Sequence, residues 1–409
     1  GIERLVEASC YRKQKDGVKP QTAKELYGDN EPSVTRLERF TACACAHFLT
    51  YGLRLREREE YEFAAVDFGN VFHRSLEHYA RKVEKESGDW TALPEEKQRQ
   101  FVEESVEESI VDYSNTVLYS SARNAYMIPR MKRMLTRTVW GLTRQLERGE
   151  FKPEGYEVSF ASGKIDRIDI CENKDEVYVK VLDYKTGAKA FDMAAFYYGL
   201  QLQLVVYMEE ALKLEEQKHP GKKAVPAGIF YYRMKDPVVD KEIDEEKLNE
   251  AILKELRLDG IVNGDDAVVR RLDKEFSGTS SVIPVARTKA GYSKTSKTLS
   301  AEEFGEVLRY SGEKRKELRR AMTEGEADAA PYAMGQNTGC DFCRFRNICG
   351  FDERIEGYEY RKLAKLSQEE VIERIEDRKS DKTSDEDSRM EGGAAGDGDN
   401  MDERTRAGH

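Results

Sequence analysis

Several things are missing from this chain of 409 residues, and each absence narrows the reading. No apolar run approaches the roughly 18 to 20 residues of a membrane-spanning helix, and no basic leader runs into an apolar export segment. The phosphate loop G-x-x-x-x-G-K-S/T is absent too. Ser162-Gly163-Lys164 and Gly221-Lys222 carry only fragments of it, so ATP hydrolysis is not expected of this chain alone. Cysteines are few and odd in number, at 7. That is a poor disulfide framework, and with 35% charged residues and no export signal it points to a reducing compartment, the cytoplasm. There is no internal repeat. The first residue is Gly1 rather than Met, which reads as an excised or processed piece of something longer.

What is present is a globular composition, with 39% hydrophobic and 10% aromatic residues, which excludes collagen-like and wholly disordered classes. Asp and Glu number 78 against 67 Lys and Arg, giving a net charge of −11. This argues against indiscriminate coating of nucleic acid, though not against a local basic channel. Residues 1–32 read as a loose lead-in or linker, 33–376 as one ordered unit, and 377–409, poor in aromatics and rich in Gly, Asp, Ser and Glu, as a disordered acidic tail.

Helical spacing dominates up to about residue 149, and the helix at about 122–149 is strongly basic. After Pro153 the period changes. Tyr156, Val158 and Phe160 alternate, then Gly163-Lys-Ile-Asp166 follows, then a polar turn at 172–176. Val177, Val179 and Val181 lead into Asp183-Tyr184-Lys185. Residues two apart on a strand share a face, so Asp183 and Lys185 continue the apolar valine stripe, and the turn brings Asp166 beside them. D-x-K is common on exposed strands. Here the charges extend a buried stripe, where charge without a task is costly. Two carboxylates and an ammonium at one point suit phosphodiester hydrolysis with Mg²⁺ (or Mn²⁺), an oxygen-seeking cation that activates water. His73 lies on an amphipathic helix with Glu77 one turn later. Gln203 and Tyr207 share a face of a later helix, where incidental polar residues on a core helix are the plainer reading.

The cysteines cluster in Cys340-Asp-Phe-Cys343-Arg-Phe-Arg-Asn-Ile-Cys349, a C-x₂-C-x₅-C knuckle in need of a fourth thiolate. Spacing alone allows zinc or an iron–sulfur cluster, with Cys43 or Cys45 as the fourth ligand. Such a clamp would close a loop of roughly 300 residues, against a chain entropy of about 5 kcal/mol.

Gly69 to His73 (G-x-x-x-H), Gly163 to Asp166 (G-x-I-D), Asp183 to Gly187 (D-Y-K-T-G) and Gln203 to Tyr207 (Q-x-x-x-Y) occur in an order that resembles the RecB-like branch of the PD-(D/E)XK nuclease superfamily. The resemblance implies an α/β, restriction-endonuclease-like mixed central sheet flanked by helices. It implies His73, Asp166 and Asp183 as metal ligands, Lys185 as the catalytic lysine, and Gln203 and Tyr207 supporting the site or touching DNA. Ser33-Val-Thr-Arg-Leu37-Glu38-Arg-Phe40 before Cys43, with Phe48-Leu-Thr-Tyr51-Gly52-Leu53 after it, is similar to the AddB family of helicase–nuclease subunits. That likeness implies a four-cysteine clamp holding a 4Fe–4S cluster on Cys43, Cys340, Cys343 and Cys349. Cys45 stands where the family usually has an aromatic residue, and Ala44 where it has proline.

The function so implied is a Mg²⁺-dependent DNA exonuclease acting on unwound single strands in double-strand-break repair, beside an AddA-like helicase/nuclease subunit. The basic helix around Arg130–Arg148 and the run Lys314–Arg320 are the expected strand-guiding surfaces. The alternatives are a non-catalytic, cluster-stabilised DNA-binding module, which the presence of Asp166, Asp183 and Lys185 argues against, and a stand-alone RecB-like nuclease.

Overall fold

Residues 152–185 fold as their alternation predicts, into three strands joined by short turns. In the computed structural model, which describes residues 2–9, 13, 17–28, 30–58, 65–112, 118, 121–239 and 244–393, β1 (Lys152–Phe160) returns through Ala161-Ser162 into β2 (Gly163–Glu172). β2 then turns into β3 (Glu176–Lys185), where the Asn173 side chain accepts hydrogen bonds from the amides of Asp175 and Glu176. This is the local bonding that makes Asn a turn residue. β4 (Lys223–Arg233) joins β3 in parallel, β5 (Asp259–Asn263) pairs antiparallel with β4, and Thr298–Leu299 closes the edge. The sheet is therefore mixed, as expected.

Helices cover both faces. α1 (Ile2–Ser9) and α2 (Pro20–Tyr27) come first, then α3 (Val34–Ala42) and α4 (Ala44–His47). One side of the sheet carries α5 (Ala65–Glu86), α6 (Glu95–Asp112) and α7 (Ala122–Arg148), packed on Tyr178, Leu182, Tyr184, Phe230 and Tyr232. α8 (Met193–Tyr197) and α9 (Gln203–Lys218) make the β3–β4 crossover; α9 buries Leu204, Val205 and Met208 against Val177, Val179 and Val181 on the other side. α10 (Glu245–Glu255) and α11 (Asp266–Leu272) flank β5, and α12 (Ala301–Thr323) starts at a capping box between Ser300 and Glu303. α13 (Gln368–Gly393) completes the α9 side. It runs on to Gly393, into the segment that composition reads as a disordered tail from residue 377. Residues 394–409 lie outside the described residues, as does Cys10. No helix among the described residues is long and apolar enough to cross a membrane.

The α5–α7 face holds a buried ionic triad that the sequence pattern does not suggest. Arg167 donates to both carboxylate oxygens of Asp169, at 2.5 and 3.2 Å, and Lys180 Nζ lies 2.6 Å from Asp169 Oδ2. All three are essentially inaccessible. The Arg167 guanidinium lies over Trp90 at 4.9 Å, and the Lys180 ammonium over Phe151 at 5.3 Å. Burial works against the charged form of each group. Even so, Arg167 and Lys180 hold Asp169 below the carboxylate range, whereas Lys180 is pulled down by burial and by Arg167. Arg167–Asp169 is thus the core of the triad and Lys180 its weaker member. Removing one partner of such a group strands the others uncompensated. Asp169→Ala should therefore cost about 3–5 kcal/mol in urea unfolding, and Lys180→Met clearly less. Equal losses in the two variants would contradict this hierarchy.

Candidate active site

Strand register assembles the centre. β2 and β3 pair Arg167 with Leu182, so one step further Asp166 and Asp183 stand side by side on one face. Both are buried, at 9% and 1% exposure. Like charges directly opposite one another destabilise a sheet, so the pair needs compensation. Asp166 Oδ2 accepts the Tyr184 amide at 2.7 Å and lies 3.3 Å from His73 Nδ1. His73 reaches it from α5, which passes the end of β3 closely enough that a Cβ on Gly69 would sit 3.6 Å from Thr186 Oγ1. Asp183 contacts the Lys185 ammonium through Oδ2, which receives no properly aligned hydrogen bond, and accepts from Gln203 Nε2 at 2.8 Å through Oδ1. Gln203 also accepts from Lys185 Nζ at 3.1 Å and lies 2.9 Å from the Tyr207 hydroxyl. The structure brings all six predicted site residues together.

Two further residues belong to the centre. Glu157 sits between the pairs Tyr156–Arg167 and Val158–Ile165, hence opposite Asp166, at a left-handed φ of 51°. Its Oε1 is 4.0 Å from His73 Nδ1, and its Oε2 takes a salt bridge from Lys164 at 2.6 Å. Glu157, Asp166 and Asp183 therefore form a row across three adjacent strands. The signal was present: β1 and β2 join through a two-residue turn, and counting back from it puts Glu157 opposite Asp166. Glu38 is the second. α9 begins at Leu202 without a side-chain cap, and Glu38 of α3 supplies one, accepting the Leu202 and Gln203 amides at 2.8 and 3.1 Å. Nothing in the local sequence marks a cap delivered from so far away.

The electrostatics have one cause. Burial raises the Asp183 carboxyl and Asp166 raises it further, to about 7, although Lys185 pulls the other way. Burial lowers His73, but the hydrogen bond and charge of Asp166, helped by Asp183 and Glu157, outweigh it and leave the imidazole raised. Glu157 too is raised, first by burial. Burial of the carboxylates and their closeness to one another thus act in the same direction on Asp183 and Glu157. One ligand atom each from His73, Glu157 and Asp166 lies within 4.8 Å of the others, beside a cavity of about 320 Å³ lined by His73, Glu157, Asn70 and Lys164. Carboxylate oxygens with one imidazole fit a hard divalent cation such as Mg²⁺ or Mn²⁺.

The cysteines are arranged differently. Cys43 ends α3 in an extended conformation, at φ −166° and ψ 117°, rather than lying within one continuous first helix. The knuckle docks beside it: a Cβ on Gly339 would meet the Ala42 carbonyl at 2.6 Å, and Cys43, Ala46 and Phe345 form a small core with Cys45 and Cys343 against it. Burial raises the Cys43 thiol, and the nearby Cys340 and Cys343 add to it. Among the described residues the thiols do not form a group within metal-ligand spacing of one another, so the four-cysteine clamp is not shown here.

The basic surfaces also differ from expectation. On α7, Lys132 pairs with Glu107, Arg144 with Glu147 and Arg148 with Glu250, at 2.8, 2.8 and 2.6 Å. On α12, Lys314 pairs with Glu317, Arg315 with Glu209, Arg319 with Glu31 and Arg320 with Glu324. Most of the charge meant to guide a strand is spent on carboxylates.

Residues 31–350 match the family model described as PD-(D/E)XK nuclease superfamily. The chain is 37% identical over 389 residues to the B subunit of an ATP-dependent helicase/deoxyribonuclease of Lachnoclostridium phytofermentans, covering 90% of this chain and 34% of that protein. Proteins of the same name from Caldanaerobacter subterraneus subsp. tengcongensis and Clostridioides difficile are 35% and 33% identical, over 96% and 90% of this chain and 36% and 34% of theirs. The chain thus spans about a third of the length of the curated relatives it matches, and the likeness to the AddB family holds along nearly all of it. With the carboxylate pair, the lysine and the family match in agreement, the chain belongs to the PD-(D/E)XK nuclease superfamily.

Proposed function

We propose that this chain is the nuclease portion of a helicase–nuclease B subunit: a divalent-metal-dependent DNA exonuclease that hydrolyses unwound single strands beside an AddA-like partner during double-strand-break repair. The observation that carries the reading is the row Glu157–Asp166–Asp183, with His73 at one end and Lys185 at the other. Bound there, Mg²⁺ or Mn²⁺ would offset charge developing on the phosphodiester and lower the pKa of water at the site. His73, Asp166 and Asp183, with Glu157 beside them, would hold the ion. Lys185 would orient water or meet the charge on the phosphoryl oxygens, and Gln203, fixed by Glu38 and Tyr207, keeps the lysine and Asp183 in register. The names of the relatives supply the helicase context and the partner.

We propose further that Cys43, Cys340, Cys343 and Cys349 hold a 4Fe–4S cluster. In support, Gly339 brings the knuckle against the end of α3, and the break at Cys43 turns that residue out of the helix into the small core shared with Phe345 and Cys343.

Three outcomes test this. With Mg²⁺ and labelled single-stranded DNA, Lys185→Ala and Asp183→Asn should each lose at least about a hundredfold in cleavage rate, while Asp183→Asn, relieved of its like-charged neighbour, melts about 1 kcal/mol more stably than wild type without metal. Retained cleavage in both variants removes the site. Glu157→Gln should weaken Mn²⁺ binding, followed by calorimetry without DNA, by about 10- to 100-fold; an unchanged isotherm places Glu157 outside the coordination. After anaerobic purification the chain should carry about four irons with broad visible absorbance, lost in Cys43→Ser and kept in Cys45→Ser, and stoichiometric zinc without iron rejects the cluster.

A further inference from the structure

Beyond the paired lysines and arginines, four arginines without a carboxylate partner gather around one cavity. A cavity of about 770 Å³ opens between α2 and the segment that follows α4, and Arg54, Arg56, Arg58 and Arg344 line it. Among the described residues none of these four has a carboxylate within salt-bridge distance, and Glu57 is the one acidic residue in the lining. This contrasts with Arg144 and Arg148 of α7 and Arg315 and Arg319 of α12, each answered by a glutamate.

A fifth arginine shows that the pocket is built rather than merely charged. Arg36 projects from α3 between two aromatic rings, with its guanidinium 4.8 Å from the Tyr27 ring centre and 5.2 Å from that of Tyr51. Its Nε donates to His47 Nε2 at 3.1 Å. Burial, then Arg36 and Arg39, hold His47 down to about 3, so its imidazole stays neutral and able to accept. Arg36 Nη2 is left buried without a partner. The chain leaves the preceding helical turn through Arg54 at a φ of 53°, a conformation uncommon for a side chain of this size, and the arginines then recur at every second position into the cavity.

We propose that this cavity binds the phosphodiester backbone of single-stranded DNA, with Arg54, Arg56, Arg58 and Arg344 on phosphates and the half-buried Tyr51 ring at the cavity wall beside the bases. Guanidinium forks match phosphate oxygens, and basic grooves with aromatic walls are how single strands are held without sequence preference. A volume of about 770 Å³ is that of a small-molecule pocket. It has room for a nucleotide or two of one strand. The proposal takes its ligand from the nuclease reading but needs none of its chemistry.

The test is anisotropy of a labelled oligothymidylate of about 20 nucleotides on the full chain in EDTA, so that cleavage does not enter and a failed nuclease assay leaves the result standing. The triple variant Arg54→Ala/Arg56→Ala/Arg58→Ala should bind about tenfold or more weakly near 0.1 M salt. Its plot of log affinity against log salt should be shallower by about 2, or about 0.7 for each phosphate left without its arginine. The corresponding triple lysine variant should keep the wild-type slope. On the wild-type chain, phenylglyoxal labelling of Arg54, Arg56 and Arg58 should fall when the oligonucleotide saturates, which decides the matter even if the alanine variant folds poorly. Superimposable binding curves, weaker binding at an unchanged slope, arginines that stay equally reactive, or an equal loss with duplex of the same length would each overturn the proposal.

Discussion

Three carboxylates in a row across β1, β2 and β3 are the constraint around which the rest of this molecule is arranged. Such a row is unfavourable in a sheet and more so when Asp166 and Asp183 are buried, so each neighbour is placed to offset it. Lys164 answers Glu157, His73 and the Tyr184 amide answer Asp166, and Lys185 and Gln203 answer Asp183. Burial first and the neighbouring Asp166 second raise Asp183, and the carboxylates around His73 outweigh its burial and raise it too. A cation placed among such carboxylates would relieve their mutual repulsion.

The second dependence is mechanical and runs through α3. Its Glu38 caps α9 and so sets where Gln203 begins, and its C-terminus breaks at Cys43 against the knuckle. Arg361 of the chain after the knuckle donates to the Thr41 carbonyl at the same end. Glu38, Gln203 and Lys185 form an unbroken chain of hydrogen bonds from that helix to the centre. One end of α3 thus packs on the cysteine knuckle while its middle serves the carboxylate centre.

The centre was readable in the sequence where its residues obey a local period. Alternation from Val177 to Lys185 gave the buried stripe and the face of Asp183, and one turn at Asn173 gave the strand opposite. Glu157 was passed over because it faces away from the Tyr156–Val158–Phe160 stripe used to recognise β1, and its left-handed backbone is invisible to pattern. Glu38 and the Arg167–Asp169–Lys180 triad were hidden for a different reason. Their meaning lies in partners that are distant in sequence or on the other face of the sheet, and no window of residues holds both halves. Cys43 lay in what periodicity reads as one helix, and the extended break there follows from docking of the knuckle rather than from local propensity.

Charge placement also explains how an acidic chain could handle a polyanion. The carboxylate row repels phosphate until a cation occupies it, so the strand needs positive surface elsewhere to approach at all. Lysines and arginines along α7 and α12 are poor candidates, since an arginine already bridged to glutamate has little field left to offer and loses a partner if it turns to a phosphate. Unbridged arginines are costly to gather, because they repel one another and gain no fold stability in return. A set of them around one cavity, with a neutral histidine and two tyrosines fixing a fifth, is a cost that folding alone gives no reason to bear. By the same reasoning that marks the buried carboxylates, it is the part of this surface where a negatively charged ligand completes the structure.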